Sequence, residues 1–277
     1  MREKKNCIVV LSEYPSHSGL LNVNYQVTTT VAGLKRAKAE GREFIFKTRC
    51  DYRFYKRELI HYLYNLVIQF PLEDSEHCQK YRIVAGSEIM NSMFKPFWLA
   101  DQFNYGQVDD MIQYWSHPMD SFNLDKRAHR EIMKQKEYSW KEQIENNMGA
   151  ESELVLSFLE RTLGKRPEIS VEEYWRIVKE RFIVVSRQEL GAYWHKYLLR
   201  YDESVAEGEL HDGASPENGL TYNWDFSSWF SLYCGNLIYD NSYERFAKNN
   251  GWKDVNTNVR CYNSKCKIDS RGASENR

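Results

Sequence analysis

Hydrophobic and polar positions alternate along this chain in two rhythms, one of strands and one of helices. Cys7-Ile-Val-Val-Leu11 is an unbroken apolar run with the length and β-branching of a short buried strand. Residues 12–19 hold Pro15, Gly19 and four serines and histidines, so they read as a loop. Val27, Val31, Leu34 and Ala37 then recur at helical spacing, with Asn22 or Asn24 placed to cap the helix and Gly41 to close it. Residues 43–48 form the next apolar run. Strand, loop, helix and strand in that order predict a βαβ crossover, and therefore a parallel sheet.

The helical rhythm returns at Leu59, Tyr62, Leu63, Leu66, Val67 and Phe70, where Pro71 stops it. Residues 81–85 and 97–99 read as strands joined by a connection over 86–96. A helix opens at Gln107, with Asp109 and Asp110 suited to the dipole of its first turn and Val108, Met111, Ile112 and Trp115 as its buried face. Residues 124–147 are highly charged and read as a solvated helix or lid, with Lys126, Arg127 and Arg130 on its outer face. Further helices are marked by Leu154, Phe158 and Leu159, by Val171, Tyr174, Trp175 and Val178, and by Leu190, Trp194, Tyr197 and Leu198, with a strand over 182–185. Beyond Tyr201 the rhythm weakens. Residues 203–218 read as a loop, and Trp224, Phe226, Trp229, Phe230 and Tyr233 as the packing of a small C-terminal subdomain. The tail from about residue 263 reads as disordered.

Composition narrows the function. The 277 residues are 42% hydrophobic, enough for a substantial core, and 38 basic residues balance 39 acidic ones. A nucleic-acid footprint would need a basic excess, so no nucleic-acid partner is expected. Six scattered cysteines lack the paired spacing of a zinc site and read as free thiols. No apolar run approaches the roughly 18 residues of a membrane span or has the flanks of a signal peptide, so a cytoplasmic protein is expected.

Chemistry concentrates where the strand over 43–48 ends. Phe46-Lys47-Thr48-Arg49-Cys50-Asp51-Tyr52-Arg53 passes abruptly from apolar to alternating charge. Ligands of α/β sheets bind beyond the carboxyl ends of strands, so an acid between two arginines there suits sugar-phosphate chemistry. Nucleotide-binding glycine loops, a nucleophile elbow and His-Glu-x-x-His are all lacking. What remains is a set of polar residues at junctions: Asn24 and Gln26, then Lys47, Arg49 and Asp51, then Asp101 with Gly106, then Glu151.

In that order the residues carry a resemblance. Asn22-Val-Asn24-Tyr-Gln26-Val-Thr-Thr29-Thr-Val-Ala-Gly33-Leu-Lys-Arg-Ala37 followed by Phe46-Lys47-Thr48-Arg49-Cys-Asp51 resembles the WavE lipopolysaccharide-synthesis family. Trp98-Leu-Ala-Asp101-Gln-Phe-Asn-Tyr-Gly106, Trp115, Ala150-Glu151-Ser-Glu-Leu154 and Tyr193-Trp194-His-Lys196-Tyr197 extend it, over about residues 8 to 200.

The resemblance implies a glycosyltransferase of bacterial lipopolysaccharide or capsule synthesis. It further implies a GT-A-like α/β fold with a mainly parallel sheet over 1–200, a helical, aromatic C-terminal appendage over 201–262 and a disordered tail over 263–277. The expected partners are a nucleotide-sugar donor and a glycan or lipid-linked acceptor, with association at the inner face of the cytoplasmic membrane. In such a site Asp51 holds Mn²⁺ or Mg²⁺ on the donor diphosphate, and Asn24, Gln26, Lys47, Arg49 and Arg53 line the donor. Glu151 is the catalytic base, with Asp101 behind it. The chain departs from the pattern at Arg53, which stands where a second acid is usual. It also departs at its start, where the family leads one to expect a strand and helix before Cys7. A non-catalytic component of an assembly complex, with a degenerate donor site, is the competing reading.

Overall fold

The computed structural model describes residues 7–19, 22–73, 78–87, 93–119, 144–145, 149–194, 223–240 and 242–243. The charged stretch over 124–147 (apart from 144–145), the loop over 203–218 and the tail from 263 lie outside the described residues.

Helix α1 (Val23–Ala39) buries Val23, Val27 and Leu34 and carries Arg36 and Lys38 in its last turn, where cations suit the dipole. Gly41, at φ 72°, then turns the chain into β1 (Phe44–Lys47). Next come β2 (Tyr52–Phe54) and α2 (Leu59–Gln69), and Pro71 lies just beyond α2. Strands β3 (Ile83–Ser87) and β4 (Ala100–Gln107) lead into α3 (Val108–Trp115). The Gln107 side chain caps α3 by accepting from the amides of Asp109 and Asp110. Helices α4 (Ala150–Leu163) and α5 (Val171–Arg181), strands β5 (Phe182–Ser186) and β6 (Ala192–Trp194), and helix α6 (Phe226–Tyr233) complete the order.

The main sheet runs β1-β4-β3-β5. β1 and β3 both pair antiparallel with β4, and β5 pairs parallel with β3. The sheet is therefore mixed, which corrects the expectation of a mainly parallel one. The correction starts at residues 7–11, which are extended coil and not a strand: Val9 is 80% and Leu11 90% exposed. β1 takes β4 as its described neighbour through the register Phe44↔Gln107 to Lys47↔Asn104, so no crossover joins residues 7–11 to it.

A second correction concerns β4. The strand expected over 97–99 lies instead at Ala100–Gln107, because Phe97 adopts φ 60° and turns the chain. Between Ala85↔Asn104 and Gly86↔Ala100 the pairing skips residues 101–103, which bulge from β4. The Phe103 ring lies over Gly86, where a Cβ would stand 2.5 Å from Cζ, so any larger residue at position 86 would push the bulge out of place.

The third correction is in the segment read as a helix over 190–198. Residues 192–194 form β6, which pairs antiparallel with β2 as a small separate sheet (Tyr52↔Trp194, Arg53↔Tyr193). Leu190 packs in the core, while residues 195–198 lie outside the described ones.

The aromatic cluster near the C-terminus belongs to the main core. The Trp229 indole donates to the Phe182 carbonyl at 2.8 Å, and the Trp224 indole to the Tyr174 hydroxyl at 3.0 Å. These bonds satisfy the polar atoms of two fully buried rings and tie α6 to α5 and β5. Among the described residues no helix is long and apolar enough to cross a membrane.

Candidate active site

Two acidic centres flank the end of β1, and they differ in every electrostatic respect. The first is Asp51. Arg49 grips it with two hydrogen bonds, Nε to Oδ1 at 3.0 Å and a terminal nitrogen to Oδ2 at 3.1 Å. The Trp194 indole of β6 donates to Oδ2 at 2.9 Å, and its ring lies 5.3 Å under the Arg49 guanidinium. The hydrogen bonds from Arg49, with help from Trp194 and the Arg49 charge, bring the Asp51 carboxyl down to about 2.

The second centre is built on the β4 bulge. Asp101 sits there, buried, with its backbone carbonyl accepting from the Lys47 ammonium. Lys47 also lies 4.2 Å over the Trp115 ring of α3. Burial brings Lys47 down to about 8; the Asp101 charge opposes this and the Arg49 charge adds to it. Glu151 enters from the first turn of α4. Burial first, and then the negative charge of Asp101, push its carboxyl up to about 7. The hydroxyl of fully buried Tyr114 feels both carboxylates and is pushed up mainly by burial. It has no hydrogen-bond partner among the described residues, and neither do the Trp115 indole N–H or the Ser152 hydroxyl. With Gln113 Oε1, four buried polar atoms on α3 and on the first turn of α4 thus lack a hydrogen-bond partner among the described residues.

Of the residues expected from sequence, Lys47, Arg49, Asp101 and Glu151 act on one another, and Asp51 joins them through Arg49. The others lie apart. Arg53 donates to the carbonyls of Cys50 and Tyr52 at 3.0 and 2.9 Å. Asn24 is buried and donates to the His17 carbonyl at 3.0 Å, fastening the loop that precedes α1. Gln26 is half-buried on the same helix. Trp194, named from sequence only as a helix position and in the resemblance, and Tyr114 were not read as site residues. The Asp51–Trp194 bond spans 143 residues, and its indole sits in a strand that reads as helix. Tyr114 carries no pattern beyond its place on an apolar face.

The implied divalent ion can be tested against these donors. Among the described residues no three His, Cys, Asp or Glu side chains gather to hold a metal. Both Asp51 oxygens already accept hydrogen bonds from a cation or an indole. The described donors at Asp51 do not fit a divalent ion. The positive charge beside the acids comes instead from Lys47 and Arg49.

An α/β body with paired carboxylates and cations at a strand end is thus in place. A family model described as WavE lipopolysaccharide synthesis matches residues 10–260, and the chain belongs to that family. Searches of curated proteins and of solved structures return no match.

Proposed function

We propose that this protein is a glycosyltransferase of lipopolysaccharide or capsule synthesis, moving a sugar from a nucleotide-diphosphate donor to a glycan or lipid-linked acceptor. The observation that carries the reading is Glu151 held near 7 beside Asp101, at the end of a strand that supplies Lys47 and leads to Arg49. A general base is most effective when its pKa lies near the working pH. Glu151 takes the proton of the acceptor hydroxyl as that oxygen bonds to the anomeric carbon. The bond from that carbon to the diphosphate oxygen breaks, and the electron pair leaves with the nucleoside diphosphate. Arg49, a planar fork suited to phosphate, and Lys47 neutralise the leaving group. Asp101 keeps Glu151 basic enough to act, and Lys47 pins the bulge that carries Asp101.

The test is thermal shift with a panel of nucleoside diphosphates and their sugar conjugates, on the wild type and on Arg49→Ala. A stabilisation by one nucleoside diphosphate, lost in Arg49→Ala, supports the reading. No response from well-folded protein would contradict it and favour a non-catalytic role in polysaccharide assembly.

A further inference from the structure

Four consecutive apolar residues before α1 lie in solvent. Ile8, Val9, Val10 and Leu11 are 57%, 80%, 40% and 90% exposed. The values alternate as the two faces of a strand do, with Val9 and Leu11 turned outward. β-Branched residues suit a strand, yet the backbone of residues 7–11 makes no hydrogen bond with the described residues. The run also has a fixed root. The Tyr14 ring rests on Tyr25 of α1 at 4.9 Å, and the Asn24 side chain holds the His17 carbonyl at 3.0 Å. A scattered exposed aliphatic needs no explanation, but an anchored run with open backbone groups is a template for strand pairing.

The flanking charges say what completes it. Lys5 stands two residues before Cys7 and Glu13 two residues after Leu11, so Val9 is the midpoint between opposite charges. Glu13 is exposed, with no ion-pair partner among the described residues. Two copies laid antiparallel about Val9 set Val9 against Val9, Ile8 against Val10 and Cys7 against Leu11. The same register sets each Lys5 opposite the partner's Glu13, an opposite-charge pair at both ends. A parallel arrangement would oppose Lys5 to Lys5 and Glu13 to Glu13, and like charges directly opposite are destabilising. The antiparallel arrangement is two-fold and closed, each copy offering the same surface. The outer edge of β1 is a second possible partner for the run, but pairing there is head-to-tail and continues from copy to copy.

We propose that residues 7–11 are a homodimer contact, an antiparallel two-stranded ribbon centred on Val9 of each copy. The contact stands independently of the glycosyltransferase reading.

The experiment is sedimentation velocity of the full chain over a range of concentrations, which should show monomer and dimer in exchange. Val9→Asp is expected to weaken dimerisation at least about tenfold, because it places two carboxylates face to face in the ribbon. Lys5→Glu or Glu13→Lys alone is expected to weaken it, and the two together to restore it. Mild oxidation tests the register. In a Cys7→Ser background, Val9→Cys should yield a disulfide-linked dimer, because directly opposed Cα atoms lie about 4.5–5.5 Å apart. Leu11→Cys, four positions out of register with its own copy, should not. The substituted side chains are exposed or flank the run, so the melting temperature of dilute protein should stay at the wild-type value. A wild type that remains monomeric throughout would overturn the proposal, as would charge reversals that fail to compensate. Leu11→Cys cross-linking as readily as Val9→Cys would overturn it too. Assembly that grows past the dimer would overturn it in favour of pairing with the β1 edge.

Discussion

Asp51 and Glu151 are both carboxylates at the rim of one sheet, and their surroundings send them in opposite directions. Asp51 is saturated with donors and is held near 2. Glu151 is short of donors, faces a second acid and sits near 7. A carboxylate that is fully paired orders the structure around it, whereas one that is strained toward its protonated form is available for proton transfer. Sequence motifs direct attention to Asp51, because it stands in the most conspicuous charged run. The sequence reading also names Glu151 as the base, and its raised carboxyl, unlike that of Asp51, accords with the proton transfer proposed for it.

The comparison can be broken most forcefully at Glu151. Glu151→Gln should lower sugar transfer by about a hundredfold to a thousandfold, while nucleoside-diphosphate binding persists. The same change should stabilise the protein at neutral pH. A carboxyl raised from 4.5 to about 7 binds more protons folded than unfolded between those values, so its contribution is favourable below 4.5 and is lost as pH rises toward 7. Urea denaturation at pH 5 and pH 8 should show the variant gaining on the wild type only at the higher pH.

Next in size is Arg49→Ala, expected to weaken nucleoside-diphosphate binding by about tenfold to a hundredfold in calorimetric titration. Asp51→Asn should spare proton transfer and cost at most about 2 kcal/mol of stability at pH 7. Its sign is opposite to that of Glu151: a carboxyl lowered from 3.8 to about 2 stabilises above 3.8, and the benefit fades as pH falls through 2. Denaturation curves of Asp51→Asn and the wild type should therefore converge in acid. The smallest effect belongs to Tyr114→Phe. Removing a buried hydroxyl without a described partner should leave stability unchanged or raise it by up to about 1 kcal/mol. A loss of stability would mean that the hydroxyl is bonded in solution.

Local chemistry was legible wherever one segment decides its own structure. The spacing of Leu63, Leu66 and Val67 with Pro71 marked α2, and Asp109 and Asp110 marked the start of α3. Lys47, Arg49, Asp101 and Glu151 were singled out from their junction positions, and the fold brings them within electrostatic reach of one another. Residues 7–11 misled because an apolar β-branched run says what a segment can pair with, not whether a partner edge is there. The three-residue bulge at 101–103 depends on Gly86 and Phe103 from different strands, so neither strand announces it alone. Trp194 was read as helix because its neighbours repeat at helical spacing, whereas pairing with Tyr52 across the chain makes it a strand. Tertiary context, a partner edge present or absent, overrode local rhythm in each case.

The most direct measurement is a pH titration of the carboxyl carbons by NMR, in protein labelled at glutamate and aspartate side chains. Glu151, assigned through Glu151→Gln, should titrate near 7 and drop toward the ordinary range in Asp101→Asn, while Asp51 stays ionised to about pH 2. A Glu151 that titrates near 4 and ignores Asp101→Asn would contradict the pairing on which the proposed chemistry stands.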